Sequence, residues 1–299
     1  MLFGGMFTWF ADYGKYGVQI FFVVSGFVIP FSLFKGGYTI NDYPRFLYKR
    51  VLRLHPPYLV ALALTLLIMA ASYKARHIAF PENTETMFKS LFYLHIPADN
   101  PVFWTLAVEA QYYLFIGIFY IIPMNFPKLA LYIVVPALAV LSQTTAVEYI
   151  SFFQYIIFFL IGTVGFLIYT KNGIRTTNML VLIALLLFSA YFYTFAEFTV
   201  AAITVAVILT YKGGFSSALQ FSGKISYSIY LLHFPLGIKF INLIKPRISP
   251  NYTWVLFILA LVITYVASWV FYRVFEEYSE ALSRKIKYRA ADLKQPALV

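Results

Sequence analysis

The chain has 299 residues, of which 61% are hydrophobic, 20% aromatic and only 12% charged, and its formal net charge is +11. With a mean hydropathy of +0.76, that much apolar side chain is more than a water-facing fold can cover, so composition excludes a soluble globular or disordered class and predicts an all-α, polytopic integral membrane bundle. The sequence contains no cysteine, which also excludes a disulfide framework, a thiolate zinc site and a cysteine nucleophile.

There is room for roughly nine spans of about 20 residues each. Apolar runs bounded by charge, Pro, Gly or Asn place them near 16–34, 56–72, 103–123, 129–142, 151–169, 178–193, 198–211, 225–244 and 253–273. The runs at 129–142 and 198–211 are the shortest. Residues 1–275 read as one transmembrane domain, and 276–299 as a basic cytoplasmic tail forming a short amphipathic helix. Met1 to Gly14 shows no basic leader and no small-residue cleavage site, so targeting is expected from the first span.

With the amino terminus outside and the carboxyl terminus inside, 16 of the 23 basic residues fall on the cytoplasmic side, as the positive-inside rule requires. These residues cluster at span ends, where they meet anionic lipid, and they form no continuous basic face. Membrane lipid, not nucleic acid, is therefore the partner the charge predicts.

In chain order, the first polar feature is Ser25-Gly26 in the aromatic-rich run Gly17–Phe27, a small pair that suits close helix packing. Next, Asp42 is placed to cap a short basic helix with Pro44 in its first turn. On that helix Arg45, Lys49 and Arg53 align at i, i+4, i+8, with Arg50 beside them. Guanidinium forks grip phosphate bidentately, so Arg50 and Arg53 are candidates for the nucleotide end of a phosphorylated donor such as an acyl-coenzyme A; the alternative is a positive-inside anchor with snorkelling side chains.

The run Phe103 to Ile122 carries Glu109 and Gln111 inside an otherwise apolar span. A carboxylate there is costly, and Glu109 is a candidate to orient a histidine, receive a proton or bind a sugar hydroxyl, with Tyr112 and Tyr113 at i+3 and i+4. Ser226, Tyr230 and His233 fall on one helical stripe of Ile225–Pro235, and His233 is a candidate base or a packing residue. His55, His77, His95 and His233 show no paired ligand spacing, so no metal site is expected.

Together, Gly17 to Phe27, Arg50-Val-Leu-Arg53 followed by Pro56, Pro57 and Tyr58, Trp104 to Tyr113, and Ser226 to His233 resemble, in order, four sequence blocks of the membrane-bound acyltransferase 3 family. The resemblance covers nearly the whole chain. It implies transfer of an acyl group, commonly acetyl from acetyl-coenzyme A, to a hydroxyl of a cell-surface or exported glycan at a bacterial inner membrane. On that resemblance Arg50 and Arg53 handle the donor and Glu109 is the essential carboxylate. Glu109 and His233 become the catalytic candidates, and Trp104, Tyr112, Tyr230 and Ser226 are expected to line the substrate path.

The chain departs from the family pattern at two places. Relatives begin with an additional helix whose histidine is the family's proposed base, whereas Met1–Asp12 resembles the short loop that follows it; the resemblance therefore implies a misassigned start, and a chain opening at Met1 would be inactive or would turn to His233 or His55. Ala110 also stands where many relatives carry a second acidic residue. Two other classes compete with the enzyme: a glycan exporter, disfavoured by the lack of an inverted repeat and of paired broken helices, and an inactive membrane subunit derived from an acyltransferase.

Overall fold

The computed structural model describes residues 14–288. In chain order these form α1 (Gly17–Lys35), α2 (Tyr43–Ala75), α3 (Thr84–Leu91), α4 (Trp104–Phe119), α5 (Pro127–Leu141), α6 (Phe152–Tyr169), α7 (Arg175–Phe192), α8 (Phe195–Thr210), α9 (Ser217–Lys224), α10 (Ser226–Arg247) and α11 (Thr253–Arg284), with no strand among the described residues. Seven of them, α1, α2, α4, α6, α7, α10 and α11, belong to segments long and apolar enough to cross a membrane. The remaining two of the nine expected spans, α5 and α8, are apolar but shorter, matching the two shortest runs in the sequence.

The helix ends follow from local chemistry. At the end of α1, Gly37 takes φ +62°, and the Tyr38 N–H reaches back to the Leu33 carbonyl at 3.1 Å, a C-terminal closure that glycine permits at little steric cost. Thr194 and Glu197 cap α8 reciprocally. Asp42 does not cap α2 but accepts from the Thr39 N–H at 3.3 Å and the Thr39 hydroxyl at 3.0 Å, closing the preceding turn.

The basic helix and the span expected from residue 56 are one helix of 33 residues. Pro56 and Pro57 deny N–H donors to the carbonyls of Leu52 and Arg53 without ending it. At the other end of the chain, α11 runs through a π-helical turn at Tyr272–Glu276 to Arg284. The helix expected in the tail is thus a continuation of the last span; residues 289–299 of that tail lie outside the described residues.

The described residues divide into two compact units, 14–46 with Gln111–Gly213 and 287–288, and Leu47–Ala110 with Gly214–Ile286. In the first, α1 and α6 touch backbone to backbone. A Cβ on Gly26 would fall 2.2 Å from the Phe159 carbonyl oxygen, and one on Gly162 would fall 2.1 Å from that of Val23. Small residues permit this approach where lipid supplies no hydrophobic drive between helices, and the Thr163 hydroxyl adds a 3.1 Å bond to the Gly26 carbonyl. Gln111 has a structural task in this unit: its Oε1 accepts from the Phe152 N–H at 2.9 Å and the Ser151 hydroxyl at 3.3 Å, satisfying the start of α6.

In the second unit, Tyr58, Leu62, Phe103, Leu106, Leu231 and Phe271 form part of a buried apolar core. α3 and the segment after it are fastened to α2 by hydrogen bonds from the Tyr58 hydroxyl to the Ser90 carbonyl (2.6 Å), from Asn100 Nδ2 to the Thr65 hydroxyl (3.0 Å) and from the Tyr73 hydroxyl to Asp99 (3.4 Å). Asp99 also pairs with Lys239 of α10. Pro235, lacking an N–H, sits within a π-helical turn at His233–Ile238. Gly237 in the same turn packs where a Cβ would meet the Thr264 hydroxyl oxygen at 2.7 Å.

Candidate active site

The basic residues of α2 do gather. Lys49 lies within electrostatic reach of both Arg50 and Arg53; Lys49 and Arg50 are half-buried and Arg53 is exposed. Three like charges close together favour an anionic partner. One carboxylate already acts on Arg53, that of Glu276, which the π turn at the end of α11 carries into the unit, where it is buried. Glu276 accepts from the Ser228 N–H at 3.1 Å and from the Ser228 hydroxyl. The Tyr227 hydroxyl donates to the Leu54 carbonyl at 2.9 Å, so the start of α10 lies against α2 beside the arginines.

Glu109 is buried, 6% exposed, in the second turn of α4. Its charge reaches Tyr93 and Tyr230. The Tyr230 hydroxyl meets the Val102 carbonyl and the Thr105 hydroxyl at the entry to α4, which fixes α10 against that helix. Trp104, half-buried, is the first residue of α4. Three of the expected residues, Trp104, Glu109 and Tyr230, thus share one neighbourhood.

A second polar contact adjoins them. His55 Nδ1 lies 3.2 Å from the Tyr93 hydroxyl, and the Tyr93 ring packs on Tyr58 at 4.4 Å between centroids. Tyr93 sits just past the end of α3 at φ +62°, with the Leu94 N–H returning to the Lys89 carbonyl at 3.0 Å. Glycine usually takes such a position; an L side chain there costs about 1–2 kcal/mol. Burial, then Tyr58 and Glu109, push the Tyr93 phenol well above its ordinary pKa, keeping it a neutral donor and acceptor.

The other expected residues lie elsewhere. His233 holds its Nδ1 against its own helix, 2.7 Å from the Tyr230 carbonyl, and lines a cavity of about 620 Å³ with Gly237, Phe257, Ala260, Thr264 and Leu261. Ser226 is exposed and donates to the Gly223 carbonyl at 2.8 Å; two residues on, Ser228 is the buried serine. Tyr112 belongs to the first unit, where its ring stacks on Phe159 at 4.0 Å.

A family model, the acyltransferase domain Acyl_transf_3, matches residues 3–273. The chain belongs to the acyltransferase 3 family. No curated protein and no solved structure matches it. In this membrane acyltransferase the matched segment contains the residues of the site just described except Glu276, which lies just beyond its end. Among the described residues no group of three or more His, Cys, Asp or Glu is arranged to hold a metal ion. Three site residues went unmarked in the sequence: Ser228 and Glu276, which meet across 48 positions, and Tyr93, whose backbone conformation no local pattern announces.

Proposed function

We propose that this acyltransferase moves an acyl group, acetyl in the simplest case, from acyl-coenzyme A to a hydroxyl of a cell-surface or exported polysaccharide. It would work in a bacterial inner membrane with the amino terminus of this chain outside and its carboxyl terminus in the cytoplasm. The observation that carries the reading is a buried carboxylate, Glu109, in the same unit as the clustered Lys49, Arg50 and Arg53, in a chain of this family. Arg50 and Arg53 grip the phosphates of the donor. Glu109 orients or charge-balances the base that takes the proton of the acceptor hydroxyl, its carboxylate favouring the cation that forms there. Trp104 and Tyr230 border the acceptor.

The reading separates binding from chemistry and is tested by kinetics in membranes with labelled acetyl-coenzyme A. Arg50→Gln and Arg53→Gln raise the KM for the donor about 10- to 100-fold, the kinetic equivalent of a hydrogen bond to a charged group, and leave kcat less affected. An unchanged donor KM in both variants would remove the arginines from donor binding.

A further inference from the structure

We propose that the cavity between α10 and α11 is a pocket for the acyl chain of the donor, built for a group longer than acetyl, and that Thr264 is one of its binding residues. The inference rests on the acyl-transfer reading and adds the length of the group transferred. The cavity, about 620 Å³, is of the size that holds one small organic ligand, and its wall is apolar apart from His233, Thr264 and Tyr265. It is elongated: the α10 residues that line it run from Ile229 to Ile241, about 18 Å along a helix at 1.5 Å per residue.

Its position ties it to the donor. Ile229 follows Ser228, which bonds Glu276, the carboxylate acting on Arg53. The His233 ring lies 5.7 Å from that of Tyr230, which the charge of Glu109 reaches. A donor gripped by Arg50 and Arg53 and extended along α10 brings its acyl tail to this cavity. The π-helical turn at His233–Ile238 opens the helix there, since Pro235 has no N–H to donate and Gly237 no side chain to fill the space. Single π turns are frequent at functional sites.

Two hydroxyls on α11 favour the donor over bilayer lipid as the occupant. Thr264 is 6% exposed and Ser268 is fully buried, and neither has a hydrogen-bond partner among the described residues. Thr163, Thr170, Thr204 and Thr210 return their hydroxyls to the carbonyl four residues back in their own helices. The Thr264 oxygen instead faces Gly237, 2.7 Å from where a Cβ would stand. A buried hydroxyl is costly to leave unpaired, and these two stand one turn apart on one face of α11, Ser268 on the side of Glu276. The arm of coenzyme A carries amides, and its thioester a carbonyl, that accept hydrogen bonds from them; a hydrocarbon tail alone offers none.

The test uses the full chain in membranes with labelled acetyl-, butyryl-, hexanoyl- and octanoyl-coenzyme A, reading label in the envelope polysaccharide of the expressing cells. The ratio of kcat/KM for each donor to that for acetyl is taken within each protein. In the wild type it rises with chain length, by up to about fourfold per methylene withdrawn from water. Ile241→Trp, which fills one end of the cavity from a half-buried position, abolishes the rise between hexanoyl and octanoyl. Thr264→Val keeps the shape without the hydroxyl and raises the KM for every donor about 2- to 10-fold; a merely structural hydroxyl would leave it unchanged. A wild-type ratio that does not rise, an equal rise in Ile241→Trp, or an unchanged KM in Thr264→Val overturns the proposal and returns the cavity to bilayer lipid, while label from acetyl-coenzyme A leaves the acyl-transfer reading standing. A wild-type protein that transfers label from none of the donors overturns both.

Discussion

The Glu276 carboxylate accepts both the backbone N–H of Ser228, at 3.1 Å, and the Ser228 hydroxyl, joining the last turn of the π segment in α11 to the first turn of α10. The opening N–H groups of a helix have no partner within it, and Ile225, which precedes α10, has no side chain to supply one. Glu276 satisfies the one on Ser228 from another helix.

Glu276→Ala therefore leaves a buried donor pair unsatisfied and destabilises the protein by about 1–3 kcal/mol, whereas Glu276→Gln, whose amide oxygen still accepts, costs less. Thermal unfolding in detergent orders the three proteins; an alanine variant as stable as the wild type would show that water replaces the carboxylate.

The contact of α1 with α6 makes a sharper prediction about packing. Gly26→Ala and Gly162→Ala push a methyl group into a facing backbone that no side-chain rotation relieves, and each costs about 1–3 kcal/mol as overpacking. Gly223, with nothing within 4 Å of a built Cβ, is the control: in α9 its replacement by alanine is neutral or stabilising by up to about 1 kcal/mol. Equal melting temperatures for all three variants would contradict the close approach.

These cases show what the sequence made readable. Apolar runs announced the helices because hydrocarbon solvent demands them, and Ser25-Gly26 announced a close contact, but its partner Gly162 lies 136 residues away and no local pattern links the two. The Pro56-Pro57 pair reads as a boundary, and only the surrounding packing carries α2 through it. At the site, Glu109 stood out as a charge in an apolar run. Ser226 was marked by its stripe, but the buried neighbour is Ser228, since Glu276 comes from a helix that sequence spacing does not relate to α10. Tyr93 lay in the longest polar stretch, where nothing marked the conformation it adopts.

The loop beyond α2 carries a pH dependence of its own. Burial would raise the Glu82 carboxyl, but the Ala98 N–H, the Thr86 hydroxyl and the His95 ring together hold it below its ordinary 4.5. A depressed folded pKa contributes stability that is complete above the unfolded value and is lost as pH falls through the folded one. Hydrogen exchange across residues 82–98 should therefore accelerate as pH drops below about 4 after correction for intrinsic rates, and Glu82→Gln should flatten that acceleration. An equal acceleration in the variant would assign it to other carboxylates.

The decisive measurement is transfer of labelled acetyl from acetyl-coenzyme A to polysaccharide in membrane vesicles with the cytoplasmic face outward, comparing the wild type with Glu109→Gln at equal amounts of folded protein. Acyl transfer through this site predicts label that requires the wild-type chain and falls by at least about 10²-fold in the variant. Equal labelling by both proteins, or none above vesicles without the chain, would contradict it.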